Sequence, residues 1–288
     1  MFELNINPVL VELGPVQIRY YGLVYALGFL LAFYILLRLA RGKKIKHFDE
    51  DQAYDITLLL ILGSILGARL FFELVYNFKD FIARPWEFFY FWHGGMSIHG
   101  GIIGGVLATY YFCKRKKIEF YDLADIIVIP LALMLGFGRI ANFINGELVG
   151  TITNVPWAVK FPGYPGYRHP SQLYEAAKNF FIFGVLLWMR SLKRLKRGTI
   201  FWSFIGLYGI LRFLVTFYRV QDYYIFGIGI GQWLSLAMVP IAAVMLYRIY
   251  KKKISIQLKN GFSQNLLCLS IRQLIGKLYK GKKQKSRP

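Results

Sequence analysis

Residues 122–145 read DLADIIVIPLALMLGFGRIANFIN. From Ile126 to Gly138 the stretch carries no charge, and at 1.5 Å per residue its length suits the roughly 30 Å of hydrocarbon that a spanning helix must cross. Working outward, comparable apolar stretches occur at about 17–40, 54–76, 97–113, 172–190, 199–218 and 231–250, which makes seven. Of 288 residues 56% are hydrophobic and 18% aromatic, with a mean hydropathy of +0.42, more apolar surface than the core of a soluble chain this long takes up. This composition excludes a disordered chain, and two Cys exclude a disulfide-stapled secreted scaffold. The sequence therefore predicts an all-α, polytopic integral membrane protein with seven transmembrane helices.

Orientation follows from charge. The chain holds 36 Lys and Arg against 15 Asp and Glu, a net +21. Four clusters gather 25 of the 36: Arg41 to Lys46, Lys114 to Lys117, Arg190 to Arg197, and Arg248 with Lys251 and the tail. They follow spans one, three, five and seven, so the positive-inside bias puts the N-terminus outside and the C-terminus in the cytoplasm. Topology accounts for these charges, and no nucleic-acid partner is expected. No Lys or Arg precedes Arg19, so the first span lacks the basic start of a removable signal peptide and reads as a permanent helix.

The expected organisation is a seven-helix transmembrane domain over 1–250, with short outer-face loops at about 77–96, 146–171 and 219–230, and a basic cytoplasmic tail over 251–288. Within the tail, residues 262–279 repeat apolar side chains at Leu267, Ile271, Leu274, Ile275 and Leu278. That pattern suits a helix lying in the inner-leaflet interface, or an ordinary amphipathic packing helix. Cys113 and Cys268 fall at cytoplasmic positions where thiols stay reduced, in no metal-ligand spacing.

Charges inside spans are costly, about 2.5–3.5 kcal/mol each at the bilayer centre, so each one needs a partner or a purpose. Span four ends GFGRIANFINGELVG, where Arg139, Asn142 and Gly146 recur on one helical face, with Asn145 and Glu147 beside it. Arg139 either snorkels to the outer headgroups or lines a polar cavity; its glycine neighbours and the following Asn residues suit the cavity. Span six offers Arg212 and Arg219, seven apart and so on the same side two turns along. Arginines able to contact a phosphate bidentately make an anionic headgroup the natural ligand.

Between spans two and three lies FWHGGMSIHGGIIGG, residues 91–105, whose Gly101 and Gly105 form a small-xxx-small helix contact. His93 and His99 are six apart, not the i, i+4 spacing of helical zinc ligands, and no metal site is expected. A neutral imidazole there is either a general base or a hydrogen-bonded structural residue. The loop 147–171 ends in the stretch YRHPSQLYE, in which Ser171 is placed to cap the next helix and Glu175 follows four residues on. No G-x-S-x-G elbow supports a serine hydrolase. A lipid or anion transporter would call for paired broken helices in related halves, and no such repeat is visible.

Taken together, IRYYGLVYALGF (18–29), HGGMSIHGG (93–101), GFGRIANFINGELVG (136–150) and RHPSQLYE (168–175) resemble prolipoprotein diacylglyceryl transferases over essentially the whole chain. The resemblance implies a bacterial inner-membrane enzyme with seven helices and an outside N-terminus. Its substrates would be phosphatidylglycerol and prolipoprotein signal peptides carrying a lipobox cysteine, and its active site would face outward. The enzyme would move the diacylglyceryl group to that thiol, forming a thioether and releasing glycerol 1-phosphate. Arg139 then matches an arginine associated with phosphatidylglycerol, and Asn142, Glu147 and Gly150 match further positions of the same signature. His99 matches the proposed base, Tyr21 a tyrosine of the first helix, and Tyr208 and Arg212 an essential pair. Arg219 matches a further arginine. The family usually has a glutamate before that last arginine, where this chain has Thr216, which puts an Arg219 salt bridge through that position in doubt.

The chemistry fits. A thiol with pKa about 8.5 is mostly protonated at pH 7, so a base such as His99 helps form the nucleophile. As the carbon–oxygen bond to phosphate breaks, charge grows on the leaving group, where Arg139 and Arg212 would stabilise it. No metal or redox cofactor is expected.

Overall fold

The computed structural model describes residues 2–7, 9–13, 16–43, 45–90, 95–192, 195–220, 224–229 and 231–251; the side chains of residues 12, 13, 16–19, 21, 98, 99, 224 and 225 lie outside that description. Backbone contacts divide the chain into a unit over Met1–Ala243 and a second over Val244–Pro288, of which only the end of the last long helix is described. The amphipathic tail segment 262–279 and Cys268 lie outside the described residues.

Among the described residues seven long helices stand where the seven apolar stretches predict them: α1 (Tyr20–Arg41), α2 (Glu50–Val75), α4 (Ile98–Lys116), α5 (Phe120–Ile144), α6 (Ser171–Ser191), α7 (Thr199–Thr216) and α8 (Gly231–Lys251). A short helix α3 (Phe78–Ala83) and a 3-10 turn over Pro85–Phe89 separate α2 from α4. By length and composition α1, α2, α5, α7 and α8 are apolar enough to cross a membrane. In α4 the C-terminal CKRK, and in α6 a buried Glu175, Lys178 and Asn179, lower the apolar content.

The protein is mostly helical but not purely so. Among the described residues seven short strands occupy the segments outside the long helices: β1 (Phe2–Glu3), β2 (Val9–Leu13), β3 (Val16–Arg19), β4 (Val159–Lys160), β5 (Tyr167–Arg168), β6 (Tyr224–Ile225) and β7 (Ile228–Gly229). β1 pairs parallel with β4, which pairs antiparallel with β5; β2 with β3 and β6 with β7 form hairpins. Hydropathy misses such elements, because strands of two to five residues are fixed by pairing rather than by a sustained periodicity.

The central helix is α5, buried along most of its length and packed on α1, α6 and α7. Leu27 and Leu30 of α1, Leu58, Leu62 and Leu66 of α2, and Leu234 and Ile241 of α8 stay exposed, an outer surface suited to lipid. Asp125 of α5 holds the start of α7: its Oδ2 accepts from Gly198 N at 2.7 Å and its Oδ1 from Phe201 N at 2.8 Å. A carboxylate from a neighbouring helix thus satisfies amides that would otherwise be orphaned at a helix N-terminus.

α2 and α4 pack closest of all. A Cβ on Gly104 would collide with the Gly63 carbonyl, and one on Gly100 with the Gly67 carbonyl. The tightest approach therefore runs through Gly100 and Gly104, while Gly101 and Gly105, singled out from the sequence, sit one position round against Ser64. Backbones this close allow no side chain. Gly104→Leu should separate the helices and destabilise the protein by about 2 kcal/mol or more. The measurement is a thermal midpoint in detergent, and a variant melting with the wild type would refute the contact.

Candidate active site

At the C-terminal end of α5 the chain turns sharply. The helix stops at Ile144, Gly146 takes φ +67° and Leu148 φ +57°. Gly146 therefore leaves the helical face predicted for it beside Arg139 and Asn142, since a left-handed residue ends the helical repeat. Arg139 Nη1 donates to Asn142 Oδ1 at 3.3 Å, and Asn142 Nδ2 donates to Glu147 Oε1 at 2.7 Å. Asn142 is buried while Glu147 is exposed, so the relay runs from the interior to the rim.

The turn is anchored to α6. Gln172 Nε2 donates to the Glu147 carbonyl at 2.6 Å, and Ser171 Oγ donates to the Leu148 carbonyl at 3.0 Å. Ser171 thus does not cap α6 as expected; Pro170 occupies the N-cap, without a side-chain bond, and the hydroxyl is spent across the loop. Gly150 is held in a narrow slot, donating its N–H to the His169 carbonyl at 3.1 Å, and a Cβ there would meet the carbonyls of His169 and Tyr218. Beside it His169, Tyr174 and Tyr218 stack edge-on, and His169 Nδ1 lies 3.1 Å from the Tyr174 hydroxyl. Burial pushes the His169 imidazole below its usual pKa, which favours the neutral ring.

The charges converge on one carboxylate near the start of α6, where the sequence alone gives it no partner. Glu175 of α6 is buried, and its Oε1 accepts from Arg212 Nη1 of α7. Its Oε2 lies 2.7 Å from Lys178 Nζ and 3.9 Å from Arg139 Nε. Lys178 Nζ in turn sits 4.0 Å from the centroid of the Tyr208 ring, within cation–π range. Arg139, Tyr208 and Arg212, three of the expected catalytic residues, are thereby brought together around Glu175 and Lys178.

Arg219 lies elsewhere than predicted. α7 ends at Thr216, so Arg219 is not two helical turns beyond Arg212; its backbone forms an isolated bridge with Gly150 instead. Thr216 is buried and its hydroxyl donates to the Arg212 carbonyl at 2.6 Å, a bond within its own helix that replaces any ion pair at that position. Tyr21 lies in α1 and His99 in the first turn of α4, with both side chains outside the described residues, as is all of His93.

The model of the prolipoprotein diacylglyceryl transferase family matches residues 8–248. The chain belongs to that family. The phosphatidylglycerol–prolipoprotein diacylglyceryl transferase of Geobacter sulfurreducens is 41% identical over 256 residues, covering 87% of this chain and 98% of the relative. The enzyme of the same name from Vibrio atlanticus is 41% identical over 254 residues, covering 86% and 92%. That from Coxiella burnetii is 40% identical over 255 residues, covering 86% and 97%. The match to the prolipoprotein diacylglyceryl transferase family takes in the α5 turn, the Glu175 cluster and all of α7. It leaves out the basic tail, 251–288.

Proposed function

We propose that this chain transfers the diacylglyceryl group of phosphatidylglycerol to the thiol of the lipobox cysteine of prolipoproteins, the first step of lipoprotein maturation. The observation that carries the reading is the meeting of Arg139 and Arg212 at the buried Glu175, in a member of this transferase family. Two largely enclosed guanidiniums against a single buried carboxylate leave positive charge for a visiting anion, and a lipid phosphate is the anion at hand.

In this reading seven helices cross the bacterial inner membrane, with the N-terminus outside, the site toward the outer face, and 1–250 as the catalytic domain. The basic residues of 251–288 remain in the cytoplasm and grip anionic inner-leaflet lipid. Arg139 and Arg212 hold the phosphate, with Asn142 and Glu147 aligning Arg139 and Arg219 contributing at the rim. Gly150 lets the loop close on α7, because only a residue without Cβ fits its slot. His99 takes the thiol proton, and Tyr21 and Tyr208 serve the same reaction. The thiolate attacks the glyceryl carbon, the carbon–oxygen bond to phosphate breaks, and glycerol 1-phosphate leaves with its charge held by the arginines.

The test is direct. Membranes containing the protein, phosphatidylglycerol and a lipobox peptide should yield a peptide heavier by one diacylglyceryl group, with an equivalent of glycerol phosphate. A peptide whose cysteine is replaced by serine should gain nothing. Absence of thioether product with the intact peptide would refute the activity.

A further inference from the structure

Lys178 has no role in the reaction as described, yet it is as deeply buried as Glu175, each side chain 2% exposed. A methionine or leucine would fill the same space without desolvating an ammonium. Glu175 already has an ion-pair partner in Arg212, so neutralising that carboxylate does not by itself require a lysine. Among the described residues Glu175 is the one carboxylate within 4.0 Å of Arg139, Lys178 or Arg212. Three cations against one anion leave the site a net +2 in a low-dielectric interior.

We infer that Lys178 is a positioning residue that matches the charge of the site to the departing phosphate monoester rather than to the phosphodiester substrate. The inference rests on the transfer reaction proposed above. In that reaction the thiol proton goes to the base, the sulfur–carbon bond forms, and the electron pair of the broken carbon–oxygen bond stays on the phosphate. The phosphodiester carries one negative charge; the monoester carries up to two, its second pKa being about 6. A site of net +2 therefore favours the charge that develops as the bond breaks over the charge present at the start, and only such differential stabilisation raises kcat.

Lys178 achieves this without touching the phosphate. Its ammonium is occupied by Glu175 Oε2 at 2.7 Å and covered by the Tyr208 ring. By holding Oε2 it keeps that oxygen from drawing in Arg139, which stays at 3.9 Å with N–H groups to spare for a ligand. Removing the charge would lower the site to net +1 and release Glu175 to pair closely with Arg139.

The experiment compares wild type, Lys178→Met and Lys178→Arg in membranes with phosphatidylglycerol and a lipobox peptide. Lys178→Met should lower kcat by about tenfold or more, with KM for phosphatidylglycerol changed less than threefold, and Lys178→Arg should restore most of the loss. An unchanged kcat in Lys178→Met, or a loss that arginine does not repair, overturns the inference. Should Lys178→Met fail to fold, the wild type supplies the readout. Inhibition by glycerol 1-phosphate should tighten several-fold from about pH 5 to about pH 8, as the monoester gains its second charge, while inhibition by the diester glycerophosphoglycerol stays flat. Equal pH responses of the two inhibitors overturn the inference. A wild type that transfers nothing in the same assay refutes the reaction itself, whereas an active wild type with an indifferent Lys178→Met refutes only the role of the lysine.

Discussion

Replacing Arg139 with Ala is expected to reduce diacylglyceryl transfer by about a thousandfold or more while the protein still folds. The size follows from the position of the guanidinium. Its side chain is 13% exposed, and removing one preorganised donor to a developing oxyanion costs about 10²–10³ in kcat even where the donor is neutral. A charged donor in a dry site exceeds that. Folding should survive because Arg139 is the most distant partner of Glu175, at 3.9 Å, so the carboxylate keeps both Arg212 and Lys178. Arg139→Lys should recover little, since a lysine offers a point charge where a planar fork can bond the Asn142 amide oxygen and keep further N–H groups for the proposed phosphate. The measurement is thioether formation in membranes, normalised to the folded protein present. Near-wild-type transfer by Arg139→Ala would remove Arg139 from the site.

The sequence makes the expensive charges legible. Arg139 and Arg212 stand out because they interrupt apolar runs in which a charge needs a reason. Their common partner does not stand out. Glu175 follows Ser171 near the start of α6, where an acid is ordinary by the macrodipole rule, and nothing local says that it faces two other helices. Lys178 is hidden likewise: Glu175, Lys178 and Asn179 lower the apolar content of α6, but nothing in the sequence says which of them face other helices. Pairings across α5, α6 and α7 depend on how each helix is rotated, and hydropathy averages over rotation. The glycine seam shows the same limit. In HGGIIGG the doublets Gly100–Gly101 and Gly104–Gly105 offer two stripes about 100° apart, and composition cannot choose between them; the structure selects Gly100 and Gly104. α7 ends at Thr216, two residues before the apolar stretch does, so the seven-residue spacing of Arg212 and Arg219 does not put them on one helical face. By contrast the seven long helices were fully legible, because each depends only on its own run of apolar residues.

Glu175→Ala is expected to be the most destabilising single change in the site. Three cations, Lys178 buried and Arg139 and Arg212 largely enclosed, would be left around the vacated position, and breaking a buried ion pair by removing one partner costs about 3–5 kcal/mol. For a chain of this size that corresponds to a fall of roughly 10 °C in thermal midpoint. Transfer should fall as well, since Arg139 and Arg212 would lose the group that holds them together and repel one another. Glu175→Gln should lie between, keeping the shape and an acceptor for Arg212 while removing the charge. The decisive comparison is the double variant Glu175→Ala, Lys178→Met. If the penalty arises from uncompensated charge, deleting Lys178 as well removes one of the stranded cations, and the double variant should be more stable than the sum of the two single losses predicts. If Glu175 matters only through packing, the two losses should add. Strict additivity, or a Glu175→Ala protein that melts with the wild type, would rule out an electrostatic centre at Glu175 and leave the convergence of Arg139 and Arg212 without its cause.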